Sequence, residues 1–72
     1  MNLNKKLNLK LKNEIHLITR WEDKGNYIDL HFGWEGARDC EKVRNKLETS
    51  KQFKVTTVHG WRLNWLKVRE VK

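Results

Sequence analysis

Residues 53–71 read FKVTTVHGWRLNWLKVREV, two β-branched and aromatic runs on either side of His59-Gly60. Runs of this kind around a glycine-bearing pair predict an antiparallel hairpin, because Gly60 accepts the positive φ of a primed two-residue turn. A turn at His59-Gly60 sets Val58 opposite Trp61, Thr56 opposite Leu63 and Lys54 opposite Trp65. It also sets Thr57 opposite Arg62, Val55 opposite Asn64 and Phe53 opposite Leu66, with Val68 following. Side chains alternate between the faces of a strand. One face therefore carries Phe53, Val55, Leu66 and Val68, and suits a core covered by a helix. The other carries Trp61, Leu63 and Trp65 with Lys54, Lys67 and Arg69, two tryptophans framed by cations. A four-residue loop keeps both sets, since the parity is unchanged, whereas a bulge near Trp65-Leu66 would mix them.

The helix that covers such a sheet lies just upstream. Ala37, Cys40, Val43 and Leu47 fall on one helical stripe within residues 35–50, which predicts a helix of about fourteen residues. Before it, Tyr27 to Trp34 alternates, with Ile28, Leu30, Phe32 and Trp34 on one side and Asp29 and His31 on the other. Glu22-Asp23-Lys24-Gly25-Asn26 is the turn that joins this run to an earlier one. In that earlier run Leu7, Leu9 and Leu11, then Ile15, Leu17, Thr19 and Trp21, share one parity, which predicts one long strand or two broken near Asn13-Glu14. Trp21 and Trp34 each end an alternating run and are expected at the edge of the core. The reading is a small single α+β domain over residues 1–72 in β-β-α-β-β order, an antiparallel sheet with one helix packed on one face. Residues 1–6 are either an edge-strand extension or a disordered end. An edge strand at residues 3–12 would allow pairing with a second copy, so monomer and homodimer both stand.

The 72 residues carry 16 Lys and Arg against nine Asp and Glu, a formal charge of +7. The charge is +4 over residues 1–12, −2 over 13–50 and +5 over 51–72, so both ends are basic. If the ends meet on one sheet, they add into one patch. No apolar run is long enough to span a membrane, and no apolar segment follows Lys5 and Lys6 as a signal peptide would require. The single cysteine, Cys40, excludes an internal disulfide and points to a reducing, cytoplasmic setting. His16, His31, His59 and Cys40 lack the close spacing of metal ligands, so no metal and no cofactor is expected. Catalysis is not expected either. Ser50 is the only serine, Cys40 lies on the apolar stripe, and no glycine-rich loop is present to cradle phosphate. His16 and His31, facing each other across the hairpin, would be the one acid–base pair, and both read as solvated outer-face side chains.

The expected function is that of a small basic, non-enzymatic binding module. It would engage nucleic acid or a nucleoprotein complex through Lys54, Trp61, Arg62, Trp65, Lys67 and Arg69, with Lys5, Lys6, Lys10 and Lys12 tracking phosphates. The alternative is a protein-binding inhibitor using the Trp-bearing face as a hot spot. In size and style, though in no motif, the chain is similar to small phage-encoded inhibitors of bacterial defence such as anti-CRISPR proteins. A third reading, a basic ribonuclease toxin, would need His16, His31, Lys54 and Arg62 to converge.

Overall fold

The computed structural model describes residues 2–60 and 63–71, and of His59 the backbone only. Within them the chain folds as α1 (Leu3–Lys10), a short 3-10 turn (Ile15–Leu17), β1 (Arg20–Asp23), β2 (Ile28–His31), α2 (Ala37–Ser50), β3 (Phe53–Gly60) and β4 (Leu63–Glu70). The strands form one antiparallel sheet in the order β1-β2-β4-β3. The protein is a small α+β domain, as its pattern of elements implies. The order, however, is α-β-β-α-β-β, and two helices rather than one supply the helical layer among the described residues.

The added helix is the main departure from the sequence reading. Residues 3–10 hold no β-branched side chain, and Leu and Lys are good helix formers. The Asn2 side chain caps the helix by accepting a hydrogen bond from the Lys5 amide at 2.9 Å. Leu3, Leu7 and Leu11 then lie four residues apart on one stripe. Leu7 and Leu11 are fully buried, while Leu9 is 63% exposed. A strand would have put Leu7, Leu9 and Leu11 on one face, so burial overrules the period-two reading. No edge strand exists at residues 3–12 to pair with a second copy. The sheet edges are β1 and β3.

Glu14, in the turn after α1, is buried and forms an ion pair with Lys46 of α2, which ties the two helical segments together. The β1–β2 turn falls where the sequence places it. Gly25 has φ +88, and its amide donates to Asp23 Oδ1 at 2.9 Å. Trp21 sits at the core edge as expected, its indole N–H donating to Asn4 Oδ1 at 2.8 Å. Trp34 does not: it is 63% exposed.

The helix expected over residues 35–50 forms with fourteen residues, and Cys40, Val43 and Leu47 are buried. Ala37 is exposed, so the buried stripe starts one turn later than the spacing implied. Gly36 makes the entry to α2. A Cβ there would lie 2.0 Å from the Phe32 carbonyl oxygen, so only glycine fits the approach of the two backbones.

The β3–β4 pairing differs in register. Val58 lies opposite Trp65 and Gly60 opposite Leu63, so β3 continues through His59-Gly60, which are not the turn. Positions 61 and 62 lie outside the described residues. This register pairs all eight residues of both strands. It also aligns Val55, Val68 and Ile28 in one apolar row across three strands. The expected register would have faced Val55 with Asn64. The shift is even in parity, so the two faces keep their expected members. Phe53, Leu66 and Val68 join Ile28, Leu30, Leu7, Leu11, Val43 and Leu47 in the core, and Val55 packs against it.

Candidate functional site: the open face of the sheet

Both helices contribute to the core through the same sheet face, so the opposite face is left to solvent. The strand registers arrange its side chains in rows. Arg20, His31, Trp65 and Val58 form one row. Glu22, Asp29, Lys67 and Thr56 form the next. Beyond it Arg69 pairs with Lys54, and Tyr27, just before β2, lies against that end. Trp65 and Lys67 are half-buried, while Lys54 and Arg69 are exposed.

Two aromatic clusters result. The His31 and Trp65 rings lie 5.1 Å apart, tilted by 41°. At the far end Lys67 Nζ sits 4.5 Å from the centre of the Tyr27 ring, with the Arg69 guanidinium 5.9 Å away. These are cation–π distances, and they gather two cations at one aromatic ring.

The acids are confined to the middle row. Glu22 and Asp29 are directly opposite, a pairing that disfavours folding unless cations answer it. Arg20 and Lys24 each reach Glu22 at 3.0 Å, and His31 Nε2 lies 3.3 Å from it. The hydrogen bond from Lys24 is the main reason the Glu22 carboxyl is held below its ordinary value, helped by the charges of Arg20, Lys24 and His31. Asp29 Oδ1 and Trp65 Nε1 are buried without a hydrogen-bond partner. Orphaned polar groups of this sort are uncommon in folded proteins; His31 Nε2 on the same face and Arg44 Nε of α2 lack a hydrogen-bond partner as well.

The structure gathers only part of the expected site. Lys54, Trp65, Lys67 and Arg69 share the open face. Trp61 and Arg62 lie outside the described residues. Lys5, Lys6, Lys10 and Lys12 belong to α1 and the turn after it, on the helical side of the sheet. There Lys6 forms an ion pair with Glu70. The basic ends therefore do not merge into one patch, because residues 3–10 are a helix behind the sheet and not a strand within it. His16 lies in the 3-10 turn, and His31 is paired with Arg20 across the hairpin, so the two histidines do not face each other. His31 is also not a solvated side chain: it is 20% exposed, between Glu22 and Trp65. Tyr27 was missed by sequence reasoning. It shares the parity of Asp29 and His31, and that parity was the available signal.

Elsewhere, Cys40 is buried in the core, and desolvation pushes its thiol upward, away from the thiolate that nucleophilic chemistry needs. Among the described residues, no cluster of three His, Cys, Asp or Glu is placed to hold a metal ion, and no helix is long and apolar enough to cross a membrane. Comparison of the chain with protein-family models, with curated proteins and with solved structures returns no match.

Proposed function

We propose that the open sheet face binds nucleic acid, alone or within a nucleoprotein complex, and that the protein is a small basic, non-enzymatic binding module. The observation that carries this reading is Tyr27 with Lys67 and Arg69 against its ring, on the same uncovered face as Trp65. Aromatic rings stack on bases while cations meet phosphates, and the two are interleaved here as that chemistry requires. The buried, lone Cys40 suits a reducing, cytoplasmic setting.

The charge arrangement fixes a magnitude. Arg20 is engaged by Glu22, which leaves Lys54, Lys67 and Arg69 outside the ion pairs formed among the described residues. Three phosphate contacts give a salt slope of about −2 on single strands, or roughly a forty-fold loss of affinity between about 50 and 300 mM salt. Tryptophan fluorescence titrated with oligonucleotides at the two salt concentrations measures it. The double variant Lys67→Ala, Arg69→Ala should reduce the slope to about −0.7. Binding indifferent to salt and to both substitutions would refute the reading.

A second reading, docking of a protein partner by an inhibitor, draws support from another observation. Trp34 and Leu63 are 63% and 46% exposed. They lie at one end of the sheet, where the Asn64 side chain donates to the Gly33 and Trp34 carbonyls at 3.0 and 3.4 Å. A tryptophan on an anchored loop has the character of an interface hot spot. This reading expects weak salt dependence and a large loss on Trp34→Ala.

A further inference from the structure

The layout of the open face separates two kinds of nucleic acid. A duplex presents phosphates outward and is read by a helix or a β-ribbon laid into a groove. Both helices of this protein pack on the far side of the sheet, so neither can enter a groove from this face. The face itself is a row arrangement of four strands, with the carboxylates of Glu22 and Asp29 in its middle row and the cations spread around them. Duplex phosphates laid across this surface would meet those two acids. Unpaired bases would not, because base edges carry amino groups that carboxylates accept from.

The aromatic rings point the same way. Tyr27 and His31 are four residues apart along one strand direction, and Trp65 and Arg69 are four apart on the neighbouring strand. That separates the two aromatic clusters by about 13 Å, with the backbone position of Lys67 between them and its Nζ against the Tyr27 ring. Stacking on both needs bases that are free of partners.

We propose that the ligand of this face is single-stranded nucleic acid lying with its bases toward the sheet, its phosphates held by Lys54, Lys67 and Arg69. The proposal rests on the nucleic-acid reading above and adds the strandedness.

The test is fluorescence anisotropy on a labelled mixed-sequence strand of about 12 nucleotides. The strand is offered as single-stranded DNA, as single-stranded RNA, and as each duplex, at about 100 mM salt. At least one single strand should bind ten-fold or more tighter than its duplex. Trp65→Leu, which keeps apolar bulk on the strand, should weaken single-strand binding at least five-fold and change duplex binding less than two-fold. Tyr27→Leu is the second variant, and far-UV circular dichroism confirms that both remain folded. Equal or tighter duplex binding would overturn the proposal and leave the reading of the open face as a nucleic-acid surface standing. No binding of any form at about 50 mM salt would overturn both.

Discussion

Replacing Leu7 and Leu9 separately by alanine distinguishes the helical N-terminus from the strand that alternation suggests. In α1 the two side chains point to different environments: Leu7 is fully buried against the sheet and Leu9 is 63% exposed. Truncating a fully buried leucine removes its transfer free energy and leaves a cavity, at a cost of about 2–5 kcal/mol. A chain of 72 residues has a total stability of about 4–11 kcal/mol. Leu7→Ala therefore removes a large share of it, and lowers the melting temperature by roughly 10 °C or more. Leu9→Ala should stay within about 0.5 kcal/mol of the parent, because the lost contact is small and alanine is the better helix former. Thermal and urea unfolding, followed by far-UV circular dichroism and tryptophan fluorescence, give both values. In a strand, Leu7 and Leu9 would occupy the same face and cost similar amounts. Equal destabilisation by the two substitutions would refute α1 as described.

Five further substitutions test the frame around the site. Gly36→Ala should cost about 2–3 kcal/mol in urea unfolding, since the new methyl would lie 2.0 Å from the Phe32 carbonyl oxygen and Phe32 is a core residue. Gly25→Ala is its control: nothing lies within 4 Å, so only the positive φ is penalised, at about 1 kcal/mol. Lys51, which closes α2 at φ 61, should give a gain of about 0.5–1 kcal/mol as Lys51→Gly in the same assay. The Glu22 carboxyl should titrate by NMR below 4.5, and Lys24→Ala should move it up. A folded-state value below the unfolded one means that this stabilisation is present above the unfolded value and is lost as pH falls through the folded one. Glu22→Gln should therefore flatten the acid side of the stability profile, and a titration midpoint at or above 4.5 would contradict the arrangement.

The central half of the fold was legible because its patterns admit one solution. Cys40, Val43 and Leu47 suit only a helix, and the run from Ile28 to Phe32 with the Gly25 turn suits only a strand after a hairpin. The N-terminus was not legible from alternation, because its leucines satisfy two periods at once. Leu7, Leu9 and Leu11 repeat every second residue, whereas Leu3, Leu7 and Leu11 repeat every fourth. The Asn2 cap and the absence of β-branched residues were the signals that favour the helix. The β3–β4 register was hidden for a similar reason. Shifting the register so that Val58 faces Trp65 and not Trp61 moves no side chain to the other face, so alternation cannot distinguish the two. What decides it is the alignment of Val55 with Val68 and Ile28, a property of three strands together.

The site divides along the same line. Lys54, Trp65, Lys67 and Arg69 were read correctly as one face because parity alone places them there. The lysines of residues 5–12 were assigned to that face only through the strand reading, and they left it with the strand. Tyr27, His31, Glu22 and Asp29 belong to the face through cross-strand neighbours, and β2 meets β4 only after the intervening helix has brought the chain back.

The most direct test of the open face as the binding surface is the indole N–H spectrum of the protein during titration with the single-stranded oligonucleotide, each resonance assigned by Trp→Phe substitution. Trp65 lies on the open face, whereas Trp21 lies on the helical side with its N–H bonded to Asn4. Binding on the sheet face should shift or broaden the Trp65 resonance and leave Trp21 in place. A spectrum in which Trp21 moves and Trp65 does not would put the ligand on α1, and would contradict the account.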